Sequence, residues 1–340
     1  MKNIFLAILT VAFHHIAYAQ LAALPEPVAN NAVVALQKNG KTVFYSFFGL
    51  DSTKKSSGVH NKVFRMDPKT GASSMIGKVS DVGRLAAAAS SINNKAYVVG
   101  GYEVMANGKE RSSNHLFIFD PREEKFVSGA FLPIPIDDHV QAVWRNKLLF
   151  VISGWSDSLT VNAVQVYDPA KNKWQLASSL PNEPGAKVFG GTGLIAGDTI
   201  YLLGGAMFAK NYPPSRYFYK GAIDPKNPLK VTWTNVGEYP GEFRYRSAAY
   251  SKGDMIYFIG GSNETYNYNG ISYAESKKVE PNNTLLIYSL QTGKFETIAL
   301  SKNTMDLRGV VVDENKQVFT LGGMEPGQKV SKWLIKVKFP

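Results

Sequence analysis

The 340-residue chain contains no cysteine. That removes a disulfide framework, thiolate metal ligands and thiol nucleophiles together. Histidine is nearly as scarce: there are five, and two of them are His14 and His15 near the start. The other three, His60, His115 and His139, stand far apart and give no metal-ligand spacing. Metal and cofactor are therefore both expected to be absent. Serine-hydrolase elbows, glycine-rich phosphate loops and the His-Glu-x-x-His motif are missing as well. Charged residues make up only 19% of the chain against 44% hydrophobic, so a packed core is expected and disorder is not.

Long apolar runs are also lacking, apart from Ile4 to Phe13. With Lys2 before it and Ala17-Tyr18-Ala19 after it, that run reads as a signal peptide over residues 1–19, cleaved before Gln20. It is too short for a membrane span and is followed at once by His14 and His15. The chain is expected to be periplasmic or secreted, with no membrane span and no cysteine for a lipid anchor. Stability must then come from core packing and from closure of the fold. Formal charge is +11, or +10 once Lys2 leaves with the leader. No basic run with interleaved aromatics accompanies that excess, and nucleic acid is not an expected partner of an exported protein.

What the chain has in plenty is glycine (30), phenylalanine (19) and tyrosine (17), a composition suited to many short strands. An apolar strand ending in a glycine pair or its remnant occurs six times. The copies are Phe47-Phe48-Gly49, Val98-Val99-Gly100-Gly101, Val151-Ile152-Ser153-Gly154, Tyr201-Leu202-Leu203-Gly204-Gly205, Tyr257-Phe258-Ile259-Gly260-Gly261 and Thr320-Leu321-Gly322-Gly323. Their last glycines are 52, 53, 51, 56 and 62 residues apart. Another apolar strand precedes each copy, and a polar loop and a third strand follow. In three repeats the third strand closes on Asp67-Pro68, Asp120-Pro121 or Asp168-Pro169, where proline stops the ladder and aspartate caps the turn. Phe126, Trp174, Trp233 and Phe295 stand near the start of fourth strands.

Six such copies in register resemble the kelch family, whose repeat has this period. The resemblance implies an all-β, six-bladed kelch-type β-propeller over residues 20–340. Blades are expected at about 30–83, 84–137, 138–185, 186–242, 243–303 and 304–340 plus 20–27. The last blade lacks a fourth strand of its own, and Leu21 to Pro27 resembles the end of a fourth strand elsewhere, Leu176 to Pro181. The N-terminal strand is therefore expected to close the last blade. The copper oxidase that shares kelch blades needs a tyrosine–cysteine crosslink, so its chemistry is excluded here.

Loops after second strands are the long ones: 102–114, 155–161, 206–215 and 262–282. Such loops share one face of a propeller and mark its binding face. On that face the innermost strands are expected to begin with Asn31, Arg84, Asp138-His139, Lys187, Arg244 with Arg246, and Arg308. A basic channel mouth for a carboxylate follows, with solvated strand ends or clamps between blades as the alternative. The chain is similar to exported bacterial kelch proteins of the N-acetylneuraminate epimerase (sialic acid mutarotase) group. That resemblance implies anomer interconversion by acid–base ring opening, with Glu103 and His139 as catalytic candidates. Arg84, Arg111, Lys187, Arg246 and Arg308 would bind an acidic sugar or other small anionic ligand. The other reading is a non-catalytic module that binds a protein or glycan on the long-loop face, where Tyr266, Tyr268 and Tyr273 would be exposed.

Overall fold

Nine successive residues, Thr42 to Leu50, are buried along the second strand of the first repeat. A strand covered on both faces reads as a continuous apolar run rather than an alternation, and the reason here is that each sheet is packed between two others. In the computed structural model, which describes residues 22–183 and 185–340, six antiparallel sheets are arranged as the blades of a β-propeller. The predicted leader and its cleavage site lie outside the described residues.

The first five blades each carry a four-stranded meander. The first comprises Ala32–Lys38, Lys41–Leu50, Val59–Met66 and Ser73–Lys78. The third comprises Val140–Trp144, Leu148–Ile152, Val164–Asp168 and Lys173–Leu176. Aspartates at the ends of third strands do cap turns: Asp67 Oδ1 accepts from the Lys69 and Thr70 N–H groups, and Asp168 Oδ1 from Ala170. Fourth-strand aromatics pack back on the third strand, as Trp174 does on Tyr167 at 5.0 Å.

The core lies between blades. Val140, Phe150, Ile152 and Val166 of the third blade pack with Val188, Ile200, Leu202 and Tyr219 of the fourth. Each such side chain contributes about 1.5–3 kcal/mol by burial. The glycine pairs serve the same seam. The second glycine N–H donates to a carbonyl of the next blade in all six repeats: Gly49 to Arg84, Gly101 to Ile136, Gly154 to Val188, Gly205 to Arg244, Gly261 to Thr304 and Gly323 to Val28. At Gly100, the first of its pair, φ is 63° and an added Cβ would overlap the carbonyl oxygen of Ile136. The third repeat has Ser153 in that place, and its hydroxyl donates to the facing Val188 carbonyl at 2.8 Å.

The sixth blade pairs Val311–Val312, Val318–Leu321 and Leu334–Lys336. Its outer position is filled from the N-terminal end, as expected. Ala23 bridges Trp333, Leu24 N–H donates to Lys332, and Leu334 N–H donates to Ala22. Sewing the two ends of the chain into one blade covers an edge that would otherwise stay open.

Candidate functional site

Six residues at or just before the start of the innermost strands share one unusual backbone. Asn30, Ala86, Asp138, Gly190, Arg246 and Asp306 all have φ between 47° and 62°. The left-handed region is costly for alanine and arginine, and here a ring of hydrogen bonds between blades holds it. Asp138 N–H donates to Ala86, Gly190 to Asp138, Arg246 to Gly190, Leu307 to Arg246 and Asn30 to Asp306. The Asn30 side chain closes the sixth link by accepting from Ala86 N–H at 2.7 Å.

Side chains then cross the middle of this ring. Arg246 donates from Nε and Nη2 to Asp138, the shortest contact being 2.6 Å, and from Nη1 to Asp306 at 3.2 Å. Arg308, from the blade opposite Asp138, reaches it at 3.1 Å and also donates to the His139 carbonyl. Two cations and two carboxylates therefore plug the channel. On one side of the plug the channel is a cavity of about 570 Å3 between the innermost strands, lined by small residues such as Ala88, Ser90, Gly191 and Ala248. On the other side, at the long-loop face, lies a cavity of about 130 Å3.

That smaller cavity is built by all four predicted long loops. They supply Tyr102 and Glu110, Trp155, Tyr212, and Asn267 with Tyr273, while Phe189, Asp137, Asp138 and Arg246 complete it. The rings brace one another edge to face: Trp155 on Phe189 at 5.4 Å, Phe189 on Tyr212 at 5.5 Å and Tyr212 on Tyr273 at 4.9 Å. The loops are also tied across blades. Ser112 Oγ donates to Asp137 at 2.5 Å and accepts from Asp157 N–H, and Thr265 donates to the Tyr212 carbonyl. A pocket held by its own neighbours is preorganised for a ligand.

Burial and the adjacent Asp138 hold the Asp137 carboxyl well above the usual carboxylate range. Glu110, an exposed residue that lines the pocket, is also raised, by desolvation there and by Asp138, with Arg246 opposing. Burial lifts Asp306 to about 6 against the pull of Arg246. Arg246 itself stays charged, because Asp138, Tyr245 and Asp306 outweigh the cost of burying it.

The candidates named from sequence fall in four different places. Of the predicted catalytic and cationic residues Arg246 alone lines the pocket, and its guanidinium pairs with two carboxylates. Arg84 lies two residues before its ring position, buried between Phe48 and Phe117, with Nη2 near Glu103 at 3.4 Å and His115 at 3.3 Å. Arg111 is exposed and paired to Glu103 at 2.9 Å from the neighbouring strand. Arg308 lies two residues after the ring, on the channel side of the plug, and Lys187 lies three residues before it and lines neither cavity. Only Arg246 and Arg308 meet, on Asp138 within the plug, so the five cations do not converge at the mouth. Hydrogen-bond register sets their depth, which spacing alone could not reveal.

Glu103 is held by Arg84 and Arg111 outside the pocket. His139 is buried beneath the plug, its Nε2 beside Gln141 Oε1 at 3.2 Å; burial, then Arg308, lowers its pKa to about 3. It is therefore neutral at ordinary pH. Tyr266, expected to be exposed, is fully buried on Tyr245 and Asp306, while Tyr268 and Tyr273 are half-buried. Glu110, Asp137, Trp155, Phe189 and Tyr212 were not singled out. Tyr102 and Trp155 do directly follow their glycines, and that position was the available signal. Among the described residues no group of His, Cys, Asp and Glu is arranged to hold a metal, and no helix is long and apolar enough to cross a membrane.

Comparison with known proteins bears on the fold and the repeat. The kelch motif model matches residues 83–130. Human kelch-like protein 15 is 21% identical over 241 residues, covering 68% of this chain and 37% of that protein. Rat kelch-like protein 36 is 25% identical over 170 residues, covering 49% of this chain and 25% of that protein. The matches thus span between a quarter and little more than a third of these relatives' length. The solved structure of YjhT superposes with a TM-score of 0.73 at 15% identity, covering 94% of this chain and 97% of that one.

Proposed function

We propose that this chain, a kelch-repeat β-propeller, binds a carbohydrate in the pocket at the centre of its long-loop face. The observation that carries the reading is the pocket's make-up. Four loops converge there with Tyr102, Trp155, Tyr212 and Tyr273 as walls, and the carboxyl groups of Asp137 and Glu110 as hydrogen-bonding partners. Aromatic faces stack on the C–H face of a sugar ring while carboxylates accept from its hydroxyls. Ligand sites of this kind are concave, mostly apolar and fitted with a few convergent polar groups.

Anomer interconversion is the catalytic form of this proposal. Opening the ring of a sugar needs an acid at the ring oxygen and a base at the anomeric hydroxyl. Glu110 and Asp137 face one pocket with raised pKa values, so one carboxyl can donate while the other accepts. They replace Glu103 and His139 in those roles. Anomer-exchange NMR on glucosamine, on neutral hexoses and on the sialic acid N-acetylneuraminate tests this step. Acceleration over buffer that falls at least tenfold in Glu110→Gln is expected; no acceleration by folded protein rejects catalysis and leaves binding.

A protein ligand is the second reading, and one observation favours it. Met105, Leu159 and Phe208 stand exposed on the same loops, by 43%, 45% and 57%. The relatives matched are kelch-like proteins, and exposed apolar side chains on a binding face suit a protein partner. A Met105→Ser, Phe208→Ser double variant would lose a protein ligand and keep a small sugar.

A further inference from the structure

We infer that the head group admitted to this pocket is a cationic nitrogen, so that in the carbohydrate reading, on which this rests, the ligand is an amino sugar with a free protonated amine. Three observations on the site lead there. The first is size. At about 130 Å3 the cavity is well below the several hundred Å3 of a site that engulfs a whole small molecule, so it takes one group while the rest of the ligand lies outside.

The second is the wall. Trp155, Phe189, Tyr212 and Tyr273 form an unbroken chain of tilted rings with centroids 4.9 to 5.5 Å apart. Edge-to-face packing fixes these rings around the cavity, and ring faces carry the negative end of the quadrupole, which attracts a cation most strongly when water is excluded. Such a box is a poor host for a carboxylate.

The third is the balance of charge. Glu110, Asp137 and Asp138 face the cavity, and Arg246 is the one cation among its lining residues. The charge of that cation is already balanced: Asp138 and Asp306 accept from Nε, Nη1 and Nη2, and Arg308 pairs with Asp138 from the channel side. A ligand carboxylate would enter beside Glu110, Asp137 and Asp138 with no unpaired cation to meet it. An ammonium would meet carboxyl groups instead. It would also relieve the crowding of Glu110 and Asp137 around Asp138, which together with burial holds both carboxyls in their raised state.

Isothermal titration of the whole protein at neutral pH with tetramethylammonium chloride, glucosamine, N-acetylglucosamine, glucose and N-acetylneuraminate separates the possibilities. Tetramethylammonium and glucosamine are expected to bind, with N-acetylglucosamine and glucose at least tenfold weaker and N-acetylneuraminate weakest. Glu110→Gln, a change at an exposed position, should weaken glucosamine several-fold more than N-acetylglucosamine. N-acetylneuraminate or N-acetylglucosamine binding as tightly as glucosamine overturns the inference and leaves carbohydrate binding standing. Tetramethylammonium binding with no sugar bound keeps the cation site and overturns the carbohydrate reading. Binding of none of the five overturns both.

Discussion

Asp138 takes part at once in the plug, the ring and the loop pocket. It takes two donors from Arg246 and one from Arg308, links two blades through its backbone, and faces the loop pocket. Next to it, His139 illustrates what burial does to a titrating group. Its folded pKa of about 3 lies below the free value of 6.5, so the unfolded chain takes up a proton that the fold refuses. His139 therefore costs nothing above pH 6.5, and its penalty grows as pH falls toward about 3. In urea denaturation at about pH 7.5 and about pH 4.5, His139→Gln should lose roughly 2–3 kcal/mol less than the parent between the two conditions. Equal losses would show that His139 is protonated in the fold. Single residues were the least legible scale in the sequence. Arg84, Arg246 and Arg308 look equivalent when counted from the glycines, yet a two-residue offset along a strand moves a side chain from the seam between blades to the plug or into the channel.

At the scale of elements, most of the structure was legible, because the same physical demand repeats six times. A strand that packs between two blades must be apolar throughout, and its glycine pair must let the next blade's carbonyl approach. Gly100→Ala should cost more than 3 kcal/mol, since the new Cβ would overlap Ile136 as well as occupy a left-handed backbone. Gly253→Ala has the same backbone problem at φ 56° but open space around it, and should cost about 1 kcal/mol. Denaturation midpoints of the two variants compare them directly. Loops were half legible. Their lengths located the binding face, but length could not show that the loop over 262–282 folds on itself, turning Tyr266 inward to Asp306.

For the whole molecule, closure is achieved twice. The N-terminal residues complete the last blade, and the ring of six left-handed residues with its ion pairs joins the blades at the centre. Arg246→Met would leave Asp138 and Asp306 short of a partner and should destabilise the fold by about 3–5 kcal/mol, read from chemical denaturation. The closing strand was legible in the sequence from Leu21 to Pro27, whereas the ring was not, since it depends on residues far apart in sequence meeting across the channel. The ring also divides the central channel, with an aromatic pocket on one side and a cavity of small residues on the other. The most direct test is the affinity of the tightest-binding monosaccharide for Trp155→Ala and for Ser90→Ala, measured by calorimetry. The pocket as ligand site predicts at least a tenfold loss in Trp155→Ala, about the worth of one stacked ring, and no change in Ser90→Ala. Loss in Ser90→Ala with Trp155→Ala unaffected would put the ligand in the channel and contradict the account.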